Sequence, residues 1–307
     1  MSGAGRSGAP ARSGLVVVDK PGGMTSHDVV ARVRRLARTR KVGHAGTLDP
    51  MATGVLLVGV EKATRLLGHL ALAEKQYDAT VRLGVATTTD DAEGEPTGGA
   101  GTRHLTAAEV EAAFGPLTGA IQQVPSTVSA VKVDGRRAHA RVRAGEQVEL
   151  AARPVTVHEL TVLGLRHEGD VLDVDVRVRC SSGTYVRALA RDAGAALAVG
   201  GHLTALRRTA VGAAGRSVTL ADAVPLAELE AADEVRLLDL GEAARRFFAV
   251  VEVDEQGARA VGHGRPLDLE APAPAGAPFG VLGPDGRLLA LYSGDGSGPV
   301  TPVAVLV

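Results

Sequence analysis

Asp49 lies in the segment Val42-Gly43-His44-Ala45-Gly46-Thr47-Leu48-Asp49-Pro50. Two glycines and a proline in nine residues suit a loop better than a regular element. A carboxylate on a stiffened loop can be aimed into a cleft. There it can serve as a nucleophile or a base. An aspartate before proline serves equally well as a turn former. Asp19 and Asp28 are rival carboxylates: the first ends a β-branched run before Lys20-Pro21, where a turn role suits it, and the second falls in a first helical turn, where it suits the dipole. His44, between Gly43 and Ala45, is either a surface residue or a planar ring able to stack on a nucleobase. Aromatic residues make up only 2% of the chain, so few rings are available for such stacking. Tyr77 follows Lys75-Gln76 in an alternating run, and Tyr185 stands in Ser181-Ser182-Gly183-Thr184-Tyr185-Val186-Arg187, at a helix start. Helix starts present free N–H groups that favour anions. A tyrosine in a sheet more often packs than reacts.

The elements that must position these residues follow from periodicity. Leu15 to Val18 predicts a strand, closed by Pro21-Gly22-Gly23. Thr25 or Ser26 caps a helix whose apolar positions are Val29, Val30, Val33, Leu36 and Ala37. A strand over Val55 to Val60, a helix over about Lys62 to Ala73 and a strand over Tyr77 to Leu83 follow. Residues 87 to 103, rich in Thr, Gly and Asp, read as a long surface loop, and Thr106 caps a helix through Phe114. Val124 to Val133 reads as extended and Gly135 to Gly145 as a basic helix. Val155 to Leu165 and Val171 to Arg179 form two strands, and Ser182 or Thr184 caps a helix to about Leu197. A β-like segment covers His202 to Val211, and Leu220 to Arg246 reads as an acidic helical stretch. The last 60 residues carry short apolar runs between Gly and Pro, which suggests a small β-barrel or half-barrel. Strands and helices mix without a strict βαβ rhythm, so the fold class is α+β.

Composition narrows the function. No apolar run reaches the roughly 18 residues that span a bilayer. The Gly-, Ser-, Ala- and Arg-rich start is unlike a signal peptide and reads as a disordered tail over residues 1–13. These features predict a cytoplasmic protein. A single cysteine, Cys180, excludes an intramolecular disulfide framework, and at the end of a β-like run it reads as a buried structural thiol. The nine histidines show no metal-ligand spacing, so no metal site is expected. Net charge is −1, but charge is segregated. Arg32, Arg34, Arg35, Arg38, Arg40 and Lys41 form one basic cluster, and Lys132, Arg136, Arg137, Arg141 and Arg143 form a second. From Ala249 onward three arginines face seven acids. Such asymmetry suits one face meeting a polyanion, and each cluster alone also suits a solvated helix face.

The motifs taken together are more specific. Gly14-Leu15-Val16-Val17-Val18-Asp19-Lys20-Pro21, Gly23-Met24-Thr25-Ser26 and Gly43-His44-Ala45-Gly46-Thr47-Leu48-Asp49-Pro50 are followed by Lys75-Gln76-Tyr77, Arg82-Leu83-Gly84 and Thr87-Thr88-Thr89-Asp90. Val124-Pro125-Ser126, Arg153-Pro154-Val155, Ser182-Gly183-Thr184-Tyr185-Val186-Arg187 and Leu203-Thr204-Ala205-Leu206-Arg207-Arg208 come later. In this order the series resembles bacterial TruB-type tRNA pseudouridine synthases over about residues 14–210. The resemblance implies a pseudouridine synthase fold with a mixed central sheet over residues 14–245 and an RNA-clasping insertion at about 121–152. It also implies a mostly-β PUA-like module at 246–307. The implied substrate is tRNA, at uridine 55 of the T loop, with no cofactor, no membrane, no obligatory protein partner and a monomeric chain. Residue by residue, it implies that Asp49 is the catalytic aspartate, Tyr77 the ring that stacks on the target base, and Arg187 the partner of the carboxylate. Tyr185 and Leu206 line the same pocket, Lys20 with Pro21 supports the active-site loops, and His44 fills the space left in the T loop by flipped bases. Two positions depart from the family pattern: Thr127-Val128 stands where Met-Tyr is frequent, and His139 stands where an aromatic is frequent.

Overall fold

The structure is a computed structural model that describes residues 12–126, 132–133, 136–137 and 150–307. The tail expected over 1–13 lies outside it except for Arg12 and Ser13, and so does most of the insertion expected over 121–152, with Thr127-Val128, His139 and the arginines at 141 and 143. The chain divides into two compact units, residues 1–73 with 210–307, and residues 74–209.

In the first unit, the strand Gly14–Lys20 runs antiparallel to Thr53–Val60 and parallel to Val224–Pro225, which makes the sheet mixed. Thr25 caps the helix Ser26–Leu36 with a capping box to Asp28, and Val29, Val30 and Val33 are its buried face. The segment around His44 departs from the loop expected there, because Val42–Ala45 is a strand paired with Thr53–Val60. The glycine that argued against a strand has a packing reason. Gly43 sits opposite Gly59, and a Cβ on either would lie within 3.0 Å of the Leu67 side chain. The glycine pair lets Leu67 lie directly on the sheet. The helix expected over 62–73 is instead a 3-10 turn, Glu61–Leu66, followed by the short helix Leu67–Ala71.

The acidic stretch 220–246 is likewise broken into a 3-10 turn Leu220–Asp222 and the helices Leu226–Ala231 and Leu240–Phe247. The C-terminal strands Val250–Glu252, Phe279–Leu282, Leu288–Ser293 and Thr301–Val305 form one four-stranded sheet in that order, with the helix Glu255–Gly262 against it. One face of this sheet has its own core around Phe279, Val281 and Tyr292. Leu282, Leu288, Leu291 and Leu306 join a second core with Leu15, Val17, Leu57 and Leu66 of the N-terminal strands and turns. Each fully buried aliphatic side chain contributes about 1.5–3 kcal/mol, so this segment is anchored by packing on the N-terminal sheet.

In the second unit, Lys75–Leu83, Val171–Cys180, Arg153–Glu168 and Gly119–Gln123 are successive antiparallel neighbours. Tyr77, Ala79, Val81 and Leu83 face the core opposite Val178, Val176, Val174 and Leu172. The alternate positions put Asp78 opposite Arg177, Thr80 opposite Asp175 and Arg82 opposite Asp173, each pair hydrogen-bonded at 2.7–2.9 Å. Charge on this face is therefore spent across the strands. The helix Val186–Ala196 lies close on the start of the strand Gly201–Ala213, where a Cβ on Gly201 would meet the Ala190 carbonyl at 2.5 Å. Residues 87–103 are more than a surface loop: Pro96–Gly98 pairs back on Ala86–Thr87 as a hairpin, and Thr87, Asp91 and Thr102 are buried. Among the described residues no helix is long and apolar enough to cross a membrane.

Candidate functional site

The strand Gly14–Lys20 delivers Lys20 beneath the loop that carries Asp49. Lys20 is fully buried, a costly place for an ammonium unless it is hydrogen-bonded. Its Nζ donates to the carbonyls of Met24 (2.6 Å), Pro21 (2.8 Å) and Pro50 (3.3 Å). Gly23, with φ of +78°, turns its own N–H onto the Pro50 carbonyl at 2.9 Å. From the other side the buried Ser26 hydroxyl bonds both backbone groups of Leu48. Ala52 N–H closes the loop on the Asp49 carbonyl at 3.1 Å. Asp49 is half-buried at the crest of this braced turn.

The rival carboxylates have other duties. Asp28 accepts from Thr25 N–H (2.9 Å) and Thr25 Oγ1 (2.7 Å), and these bonds hold its carboxyl below the usual carboxylate range. Asp19 sits within the sheet, opposite Val55 and Pro225. His44 is half-buried opposite Val58, and its ring meets His27 edge-on at 5.2 Å. In the first basic cluster, Arg32 and Arg35 both reach Glu230 (3.2 and 3.4 Å), and Arg34 donates to the Val42 carbonyl (2.9 Å). Part of the cluster is therefore tied to its own fold.

In the second unit Tyr77 is a buried strand residue opposite Val178, and Leu206 is buried in the strand Gly201–Ala213. Arg187, in the first turn of the helix Val186–Ala196, is 4% exposed. Its Nη1 donates to the Thr89 carbonyl (2.7 Å) and pairs with Asp91 (3.2 Å). Asp91 is braced by Thr89 Oγ1 and Glu93 N–H. The helix cap also departs from expectation. Neither Ser182 nor Thr184 caps the helix; Tyr185 occupies the cap position without a side-chain bond, and the buried amide of Gln123 bonds its backbone instead. Tyr185 N–H donates to Gln123 Oε1 (2.8 Å), and Gln123 Nε2 donates to the Tyr185 carbonyl (3.1 Å). Next to it, Arg191 donates to Asp90 (3.3 Å) and to the Val124 carbonyl (2.9 Å). Burial raises the Asp90 carboxyl above its ordinary range, and a φ of +60° places that residue in the left-handed region. Cys180 is buried, and burial pushes its thiol up to about 11, so it is a structural thiol.

Lys20, Asp49 and His44 thus belong to the first unit, where Lys20 is bonded to the loop of Asp49, and Tyr77, Tyr185, Arg187 and Leu206 belong to the second, where Tyr185 and Arg187 share one helix start. Sequence reasoning did not single out Ser26, Gln123 or Asp91 for these roles. Each is a polar residue without spacing of its own, and only burial against a backbone or a guanidinium marks it.

A family model described as TruB family pseudouridylate synthase, N-terminal domain, matches residues 34–186. Models described as the tRNA pseudouridylate synthase B C-terminal domain and tRNA pseudouridine synthase II, C terminal, match residues 187–244 and 248–307. The chain is similar to the tRNA pseudouridine synthase B of Thermobifida fusca, 58% identical and covering 95% of this chain and 98% of that one. It is also similar to that of Nocardia farcinica, 57% identical and covering 98% and 97%. Among solved structures it resembles a chain of a Cbf5-Nop10-Gar1 complex, with 27% identity, a TM-score of 0.71 and coverage of 96% and 85%. A chain of an H/ACA RNP bound to a substrate RNA containing 2'-deoxyuridine matches at 25% identity and a TM-score of 0.70, with the same coverage. The α+β architecture described above is that of these pseudouridine synthase relatives, and this chain belongs to the TruB family of pseudouridylate synthases.

Proposed function

We propose that this chain converts uridine 55 in the T loop of tRNA to pseudouridine, with Asp49 as the reacting carboxylate and no cofactor. The observation that carries the reading is the Asp49 loop, braced by buried Lys20 and Ser26 in a chain with close relatives named tRNA pseudouridine synthase B. The reaction breaks the C1′–N1 bond, turns the base and joins C1′ to C5. The C5 proton leaves and N1 gains one, so atoms and electrons balance within an isomerisation. The uridine must leave its stack to be reached. Stacking on Tyr77 offsets about 1–3 kcal/mol of that cost.

In this reading Arg187 is the guanidinium that faces the Asp49 carboxylate, suited by its permanent charge and planar fork. Asp91 and the Thr89 carbonyl hold the Arg187 guanidinium within its own unit. Tyr185 and Leu206 line the base pocket, and Lys20 acts through the loop backbone. His44 enters the space vacated in the T loop. Three routes are open to the carboxylate: addition to the ring, attack on C1′, or removal of a ribose proton. All three require the same accurate placement. A phenol is a poor base at neutral pH, so Tyr77 is assigned stacking. We assign the chain to the cytoplasm as a monomer with a PUA-like C-terminal module.

The test is to incubate the purified chain with an unmodified tRNA transcript and map pseudouridine by carbodiimide primer extension. A stop at uridine 55 that Asp49→Asn abolishes, with tRNA binding retained, is expected. Activity of Asp49→Asn near wild type would refute the carboxylate assignment. Because one of the solved relatives named above sits in an H/ACA RNP and the other in a Cbf5-Nop10-Gar1 complex, the assay uses this chain alone. A requirement for a guide RNA or partner proteins would replace the tRNA reading.

A further inference from the structure

The hydroxyl of Ser26 is placed as if for a purpose beyond helix formation. Ser26 is the first residue of the helix Ser26–Leu36 and is 1% exposed. Small hydroxyl residues at a helix start usually bond within their own helix. Here Thr25 fulfils that task, its Oγ1 accepting from Asp28 N–H at 3.1 Å and the Asp28 carboxylate bonding back to Thr25 N–H at 2.9 Å. Ser26 is left to bond 22 residues along the chain. Its Oγ donates to the Leu48 carbonyl at 3.1 Å and accepts from Leu48 N–H at 2.9 Å. A single hydroxyl thereby satisfies both backbone groups of the residue that precedes Asp49.

We propose that Ser26 is a positioning residue, whose hydroxyl sets the direction in which the Asp49 carboxylate points by fixing the peptide before it. The proposal rests on Asp49 being the reacting group. Lys20 and Gly23 hold the carbonyl of Pro50, which follows Asp49. Ser26 holds Leu48, which precedes it. Asp49 therefore hangs between two fixed points of backbone, and its side-chain torsions are the main freedom left to it. The Leu48 carbonyl and the Asp49 N–H share one peptide plane. If the hydroxyl is lost, two buried backbone groups lose a partner and the plane turns to find another. The buried Leu48 side chain keeps the loop folded, while the carboxylate is re-aimed. A misplacement of about 1 Å costs on the order of 100-fold in rate.

The experiment measures single-turnover pseudouridine formation and tRNA affinity by filter binding for Ser26→Ala, Asp49→Asn and Thr106→Ala in the full chain. Thr106→Ala removes the capping box of the helix Ala107–Phe114 and serves as a stability control. Ser26→Ala is expected to lower the single-turnover rate constant about 30- to 100-fold, with the Kd for tRNA within twofold of wild type. Thr106→Ala is expected to lower Tm comparably and leave the rate constant within twofold. A Ser26→Ala rate within threefold of wild type overturns the proposal. So does a loss that appears in Kd, or an equal loss in Thr106→Ala. Should Ser26→Ala fail to fold, Ser26→Cys keeps a group of similar size with weaker bonds, and the same split is expected at about tenfold. If Asp49→Asn retains the wild-type rate, the assignment of Asp49 fails. If Asp49→Asn is inactive while Ser26→Ala is unimpaired, only the role of Ser26 fails.

Discussion

Replacing Lys20 by methionine keeps the side chain's length and removes an ammonium from a site with no solvent exposure. Three carbonyls lose a donor, but not equally. The Pro50 carbonyl keeps the Gly23 N–H at 2.9 Å and gives up only a 3.3 Å contact. The carbonyls of Pro21 and Met24 give up contacts of 2.8 and 2.6 Å. Met24 is half-buried, and its carbonyl left without a donor costs about 1–3 kcal/mol, whereas the exposed Pro21 can turn its carbonyl to water. The desolvation penalty of the buried charge disappears at the same time and offsets part of this. The expected net destabilisation is about 1–2 kcal/mol. Because the chain has no tryptophan, far-UV circular dichroism during equilibrium urea unfolding is the suitable readout. The residual folded protein should also turn over more slowly, since one restraint on Pro50 is gone. A Lys20→Met variant within about 0.5 kcal/mol of wild type, with an unaltered single-turnover rate, would refute the idea that this ammonium braces the loop.

Burial, with Arg208 nearby, pushes the Lys75 ammonium down from its ordinary 10.5 to about 8. The unfolded chain therefore binds more protons between about pH 8 and 10.5, so stability rises with pH across that window and the cost is fully present below it. The rise, on the order of 3 kcal/mol, should be absent from Lys75→Met when the two urea curves are compared, and an identical pH dependence would contradict it. Gln123→Leu leaves the Tyr185 N–H without its 2.8 Å acceptor, whereas the Tyr185 carbonyl keeps Ala188 N–H. A loss of about 1–3 kcal/mol and faster amide exchange in the first turn of Val186–Ala196 are expected, and unchanged protection would count against the cap assigned to this glutamine. Glu230→Ala releases the exposed side chains of Arg32 and Arg35. Stability should change by less than about 1 kcal/mol, while tRNA affinity rises at low salt with a steeper salt dependence. An unaltered salt slope would assign this cluster to ordinary solvation.

Local chemistry made much of the first 60 residues legible. Thr25 or Ser26 ahead of an apolar stripe announces a capped helix, and the structure gives the cap to Thr25. The alternation from Tyr77 to Leu83 announces a half-buried strand, and its polar positions are those that pair across to Asp173, Asp175 and Arg177. The reading failed where tertiary packing overrode local preference. Gly43 argued for a loop, yet it serves a strand because Leu67 needs the room. Thr87 and Asp91 looked like surface polar residues, yet they are buried because they satisfy each other and Arg187.

The residues that define the family, their order and the α+β mixture are properties of the sequence alone, because motif spacing and hydrophobic period are one-dimensional quantities. Which polar side chains brace the chemistry is decided only by the folded chain. Ser26 meets Leu48, Lys20 meets Pro50, Gln123 meets Tyr185 and Arg187 meets Asp91 across separations of 22, 30, 62 and 96 residues. A hydrogen bond at such distance along the chain leaves no periodic trace. It depends on a buried backbone group needing a partner at one point in space, and that need exists only once the strands and helices around it are packed.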